Sequence, residues 1–210
     1  MERAARKDPL TFTDFLRSRL KGIIEPAASF LNRLGLKPNM VTLFGLFGTV
    51  VGSVFLAAGH VPLGGIIILI MAPIDALDGA MARLRGEPTL FGAFVDSVTD
   101  RYSELFIFGG LLVYFLNQQN WAGVFLTYLA AAGSVLVSYV RARAQSVGFE
   151  TKVGLLTRVE RFLVLIPCLI FNQPLIAVGI IAVLTNLTAL QRILHVRSQA
   201  YQKAGLNRKK

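Results

Sequence analysis

"DALDGAMARLRGEPTLFGAFVDSVTD", Asp75 to Asp100, places four aspartates within 26 residues, between two of the most hydrophobic parts of the chain. The chain has 210 residues, 54% of them hydrophobic and 16% charged, a composition that belongs to integral membrane proteins and excludes an ordinary soluble domain. An aspartate at the middle of a membrane helix costs about 3 kcal/mol, so four turned to lipid would cost on the order of 10 kcal/mol. The stretch must therefore face inward, and something must offset its charge.

Windows of about 19 residues predict six spans around it, approximately Met40 to Gly59, Val61 to Met81, Phe91 to Leu116, Trp121 to Val140, Leu156 to Phe171 and Leu175 to Leu194. The expected fold class is an all-α integral membrane protein with six transmembrane helices. Residues 1–39 form a cytoplasmic juxtamembrane segment, 40–195 the membrane domain and 196–210 a basic tail. Before the first span, Phe12, Phe15, Leu16, Leu20, Ile23, Ile24, Ala27, Leu31 and Leu34 recur at three- and four-residue intervals, the pattern of an amphipathic interfacial helix bent or broken at Pro26. Packing across the cytoplasmic ends of the spans is compatible with that pattern. The first 39 residues lack a signal-peptide h-region, so insertion is expected to depend on the first span. Cys168 is the only cysteine; no disulfide can form within the chain, and the residue reads as packing.

Orientation follows from charge. The short connections around His60, at Asn117 to Asn120 and at Asn172 to Pro174 carry no Lys or Arg, whereas all 22 Lys and Arg of the chain fall on the other side. Both termini are thus expected in the cytoplasm, at the cell membrane. The net charge of +10 is expected to meet anionic lipid headgroups, and no nucleic-acid motif accompanies it.

Within the opening stretch, Asp75 and Asp78 are three residues apart and Asp96 and Asp100 four apart, so each pair shares a helix face. Glu104 extends the second row by one turn. A short hinge at Leu84 to Leu90, with Gly86 and Pro88, makes the two helices antiparallel neighbours. From the helical rise of 1.5 Å per residue, the aspartates lie roughly 6 to 15 Å below the cytoplasmic interface. Only Arg83 and Arg101 are close enough in sequence to balance the acids. Bound divalent cations are the expected remedy, and all-oxygen ligands suit Mg²⁺ or Mn²⁺ rather than zinc. The alternative is a salt-bridged network completed by arginines of other helices. Gly79, Gly92, Gly45, Gly48 and Gly52 either let helices approach closely or admit a ligand to the backbone. Such a site suits phosphoryl chemistry on a lipid, with a cation transporter as the rival reading.

Asp75-x-x-Asp78-Gly79-x-x-Ala82-Arg83, eight residues, Gly92-x-x-x-Asp96-x-x-x-Asp100 resembles the signature of the CDP-alcohol phosphotransferases at every fixed position. The resemblance extends over nearly the whole chain. It implies transfer of a phosphatidyl group from CDP-diacylglycerol to an alcohol with release of CMP, a homodimer, and two metal ions per site. Asp75, Asp78, Asp96 and Asp100 would be the metal ligands, with Asp100 also the general base. Asn39, Thr42, Gly79, Ala82, Arg83 and Gly92 would hold the CDP-lipid, although Asn39 and Thr42 also suit helix capping. "DSVTDR" at Asp96 to Arg101 and "SYVRARAQSVG" at Ser138 to Gly148 resemble the bacterial phosphatidylinositol phosphate synthases of that family. This implies inositol phosphate as acceptor, its phosphate held by Ser138, Arg141, Arg143, Arg158 and Arg161. Arg141 stands where lysine is usual, and glycerol 3-phosphate would satisfy the same charges.

Overall fold

The computed structural model describes residues 12–86, 89–151, 153–203 and 205, with side chains from Gly22 onward except at positions 23 and 75. Among the described residues the chain is all helical: α1 (Phe12–Arg33), α2 (Pro38–Ala57), α3 (Val61–Met71), α4 (Ile74–Leu84), α5 (Leu90–Asn117), α6 (Trp121–Ser146), α7 (Arg158–Ile170) and α8 (Pro174–Lys203). Prolines open α2 and α8 at a position where a missing N–H costs nothing. Thr89 and Asn120 cap α5 and α6, each accepting a 2.9 Å hydrogen bond from the backbone N–H three residues on. Gly59, at φ +89°, and Gly86, at φ +70°, supply the left-handed turns after α2 and α4.

The spans settle against one another through small residues. A Cβ on Gly64 would stand 2.8 Å from the carbonyl of Gly52, and one on Gly52 would stand 2.9 Å from the Ile68 side chain, so α2 and α3 pack backbone to backbone. For Gly48 and Gly52 close packing is the explanation. Leu56, Ile68, Ile107, Leu111, Leu169 and Ile181 form the shared core of α2, α3, α5, α7 and α8. Four buried hydroxyls are satisfied locally: Thr49, Ser53, Thr127 and Thr185 each donate to the carbonyl four residues earlier.

Among the described residues four helical runs are long and apolar enough to cross a membrane: α2, the α3–α4 run Val61–Leu84, α6 and α8. α5 is about 42 Å long at the standard helical rise, but Asp96, Asp100, Arg101 and Glu104 make its first half too polar to qualify. α7 is only 13 residues, about 20 Å, and is preceded by an extended segment. The multi-pass membrane character of the chain is clear from the four runs and the apolar outer surface, on which Phe44, Phe47, Trp121 and Phe125 are exposed.

Three details differ from expectation. The second predicted span is two helices, because Pro73 lacks an N–H and its ring clashes with the preceding turn; Ala72 and Pro73 both stay in the αR region. α6 and α8 run beyond their predicted ends, to Ser146 and Lys203. α1 is unbroken at Pro26. Its described portion packs on α4, with Ile24, Ala28 and Leu31 against Ile74, Leu77, Ala80 and Met81. Arg85 fastens the junction, donating to Asn32 Oδ1 at 2.7 Å and the Leu36 carbonyl at 2.6 Å. The side chains of Phe12, Phe15, Leu16, Leu20 and Ile23, Pro88 of the hinge and residues 204 and 206–210 of the basic tail lie outside what is described.

Candidate active site

α4 and α5 carry the two acidic rows, and α2 packs against both of them, so the helices expected as direct neighbours are joined through α2. Asp78 is buried and accepts a hydrogen bond from the Thr42 hydroxyl of α2, which also lies 3.2 Å from the Pro38 carbonyl. Asp96 is half-buried and Asp100 buried on α5. The Asp75 side chain lies outside the described atoms, and among the described residues no three acidic or imidazole groups converge as a metal site. The chemistry of the donors nevertheless fits a divalent cation: carboxylates of α4 and α5 and a hydroxyl of α2, all hard oxygens, on helices that α2 ties together.

The second acidic row is divided. Arg158 and Arg161, from the first turn of α7, reach the lower part of it: Arg158 Nη1 is 2.6 Å from Asp100 Oδ2, and Arg161 Nη2 is 2.6 Å from Glu104 Oε1. Arg158 Nε stands 4.0 Å from the same Glu104 oxygen. Arg101 lies 3.8 Å from Asp100 and 3.7 Å from Glu104. The arginine network weighed as an alternative to metal is therefore real for Asp100 and Glu104. Three guanidiniums on two carboxylates leave a net positive cluster one helical turn along α5 from Asp96.

The motif glycines behave differently from those of the core. A Cβ on Gly79 would meet only the tip of Arg83, at 3.4 Å; one on Gly92 would meet Thr89 Oγ1 at 3.0 Å and Asn39 Oδ1 at 3.9 Å. Neither glycine is held small by a neighbouring helix backbone; the side chains nearest to them are Arg83 for Gly79 and Thr89 and Asn39 for Gly92. Ala82 is half-buried on α4. Helix capping does not account for Asn39 and Thr42, because α2 begins at Pro38 and its cap residue, Lys37, makes no side-chain bond.

Of the five residues expected to hold an acceptor phosphate, three converge. Ser138 accepts a hydrogen bond from Arg101 and donates to the Ser134 carbonyl at 3.3 Å, joining Arg158 and Arg161. Arg141 and Arg143 are exposed near the end of α6, where the helix runs on to Ser146 and turns them to different faces; Arg143 bonds Ser146 at 3.3 Å. Two further residues adjoin these groups: Glu104, noted above only as part of the acidic row, and Arg192, which sequence reasoning passed over. Glu104 carries the arginines, a role hinted at only by its place in the acidic row. Arg192 of α8 is buried, donating to the carbonyls of Val137 at 2.6 Å and Val153 at 2.9 Å, and lies within electrostatic reach of Arg141 and Arg161. A lone arginine ending an apolar run was its signal.

The family model for CDP-alcohol phosphatidyltransferase matches residues 36–194. The chain belongs to that family and is a transferase of that class, which overturns the cation-transporter reading. Among its relatives, the archaetidylinositol phosphate synthase of Pyrococcus horikoshii is 35% identical over 185 residues, 88% of this chain and 96% of the relative. The phosphatidylinositol phosphate synthase of Mycobacteroides abscessus is 36% identical over 193 residues, 87% of each chain. The crystal structure of the phosphatidylinositol phosphate synthase PgsA1 of Mycobacterium tuberculosis with CDP-DAG bound matches with a TM-score of 0.78 at 30% identity, covering 83% of this chain and 93% of that one. The same protein in complex with manganese and citrate matches with a TM-score of 0.77 at 30% identity, over 82% and 88% of the two chains.

Proposed function

We propose that the protein transfers the phosphatidyl group of CDP-diacylglycerol to inositol phosphate, giving phosphatidylinositol phosphate and CMP. The observation that carries this reading is the cluster of Arg101, Arg158 and Arg161 around Glu104, net positive and adjoining the carboxylates. Such a cluster suits a phosphomonoester, because guanidiniums bind its oxygens through several charge-assisted hydrogen bonds. The relatives support it from another side: their names differ in the lipid, archaetidyl or phosphatidyl, and agree on inositol phosphate.

In this reading the acceptor's hydroxyl oxygen attacks the phosphorus that carries the diacylglycerol. The bond from that phosphorus to CMP breaks, and the hydroxyl proton passes to Asp100. Ser138, Arg158 and Arg161 hold the acceptor's phosphate, with Arg192 behind them and Arg141 and Arg143 at the rim. Asn39, Thr42, Gly79, Ala82, Arg83 and Gly92 hold the CDP moiety. Asp75, Asp78, Asp96 and Asp100 would bind Mg²⁺ or Mn²⁺, two ions per site, which when bound neutralise the diphosphate.

The same reading takes six spans, with α3 and α4 as one and with α5 and α7 crossing despite their polar or short profiles. It puts both termini and the site on the cytoplasmic side of the cell membrane, as the one-sided Lys and Arg argue. α1 lies at that interface and α5 is one wall of the site. A homodimer follows from family resemblance alone. The deciding experiment offers purified enzyme, CDP-diacylglycerol and Mg²⁺ to inositol phosphate, free inositol, glycerol 3-phosphate and serine. Product with inositol phosphate alone is expected; product with glycerol 3-phosphate alone would refute the acceptor and leave the class intact.

A further inference from the structure

We infer that Arg158 makes the acceptor's phosphate a condition of reaction as well as a handle for binding, by holding Asp100 in an ion pair until a phosphate draws it away. The inference rests on the reading of Asp100 as the proton acceptor and of the arginine cluster as the acceptor site.

The two arginines of α7 are placed differently. Arg161 has a side chain 3% exposed, donates to Glu104 at 2.6 Å and lies 3.4 Å from the Leu156 carbonyl, so it is a fixed part of the floor. Arg158 is 26% exposed, sits with its guanidinium 5.5 Å from the Phe162 ring, and reaches Asp100 Oδ2 with Nη1 at 2.6 Å. A further carboxylate near it, Glu104, is 4.0 Å away and already bonded to Arg161. Arg158 is thus less confined than Arg161, and of the cluster's arginines it makes the short contact with Asp100, the carboxylate on which the chemistry depends.

While that contact lasts, the Asp100 oxygen is occupied and the carboxylate is held toward α7, with a guanidinium standing where a nucleophile's O–H would have to approach. A phosphate dianion offers three strong acceptor oxygens and more charge than one carboxylate oxygen, so it competes for Arg158. Water or an unphosphorylated alcohol brings no anion and meets Asp100 still engaged. Arg158 is in this sense a specificity-determining residue: it protects the CDP-lipid from hydrolysis and admits nucleophiles that carry a phosphate.

The suppressed side reaction is explicit. A water oxygen would bond to the phosphorus bearing the diacylglycerol, the bond to CMP would break, one water proton would pass through Asp100 to solvent, and the products would be phosphatidate and CMP. The test measures phosphatidate and CMP from CDP-diacylglycerol and Mg²⁺ without any alcohol acceptor. Inorganic phosphate added to the unaltered enzyme should speed this hydrolysis about threefold to tenfold, the scale of one partly exposed charge-assisted contact. Arg158→Gln should hydrolyse at the raised rate without phosphate, respond no further to it, and bind inorganic phosphate more weakly by calorimetry. Hydrolysis that phosphate slows or leaves unchanged in the unaltered enzyme would overturn the proposal, as would Arg158→Gln binding phosphate undiminished. An enzyme that uses inositol phosphate normally yet shows those results refutes only this inference. One that uses no phosphorylated acceptor refutes the reading beneath it.

Discussion

Glu104 is the residue on which the cationic cluster stands. Its carboxylate faces Arg161 at 2.6 Å with both side chains almost wholly buried. Breaking a buried pair from one side costs about 3 kcal/mol or more, because the remaining charge stays out of water. Glu104→Gln should therefore lower the Tm in detergent by roughly 5–10 °C and raise the KM for inositol phosphate more than that for CDP-diacylglycerol. A Tm within 2 °C, roughly the size of a surface substitution, would show the pair to be dispensable. Gly79 gives the opposite kind of prediction. A side chain at Gly79 would meet only the flexible tip of Arg83, at 3.4 Å from its Cβ, so in Gly79→Leu the fold should hold at a nearly unchanged Tm while the KM for CDP-diacylglycerol rises about tenfold or more, the scale of a blocked contact. Residue by residue, helical spacing made the acidic rows and the family signature legible in the sequence. The division of those rows was not: Arg158 and Arg161 lie more than 50 positions beyond Glu104, and only tertiary packing sets them beside it.

At the scale of elements, the polar face of α8 organises the connection between α6 and α7. Thr188 accepts hydrogen bonds from the N–H groups of Leu155 and Leu156 at 3.2 and 3.1 Å. Arg192 donates to the Val153 carbonyl at 2.9 Å, Gln199 to that of Glu150 at 2.6 Å and Lys203 to that of Gly148 at 2.8 Å. Positions 188, 192, 199 and 203 share one helix face. The held segment leads directly into Arg158, so Thr188→Val should raise the KM for inositol phosphate severalfold and leave that for CDP-diacylglycerol unchanged. An equal rise in both would mark a general loss of structure. Hydropathy found the lipid-facing length of α8 and could not find its extension past Leu194, since no membrane requires it. The break at Pro73 was readable from the proline and was masked by the apolar residues on either side.

For the whole molecule, the one-sided distribution of basic residues makes a topology that one reagent can check. Cys168 is the only cysteine and is partly buried without a disulfide, so Cys168→Ala should keep activity and provide a cysteine-free background. Single cysteines at Gln118 or Asn172 should then react with a membrane-impermeant thiol reagent in intact cells, and one at Gly205 only after permeabilisation. Labelling of Gly205→Cys in intact cells would invert the orientation.

The grip of α8 on its neighbouring loop is made almost wholly to main-chain atoms, and that has a consequence for mutational tolerance. The loop's shape is encoded at a distance, in a helix that begins about 20 residues after the loop has ended. Alanines placed at Glu150, Val153 or Leu155, whose side chains are exposed, should pass nearly unnoticed, while a chain cut just after His195 would lose the Gln199 and Lys203 contacts. Variation and constraint thus fall on opposite partners of the same contact.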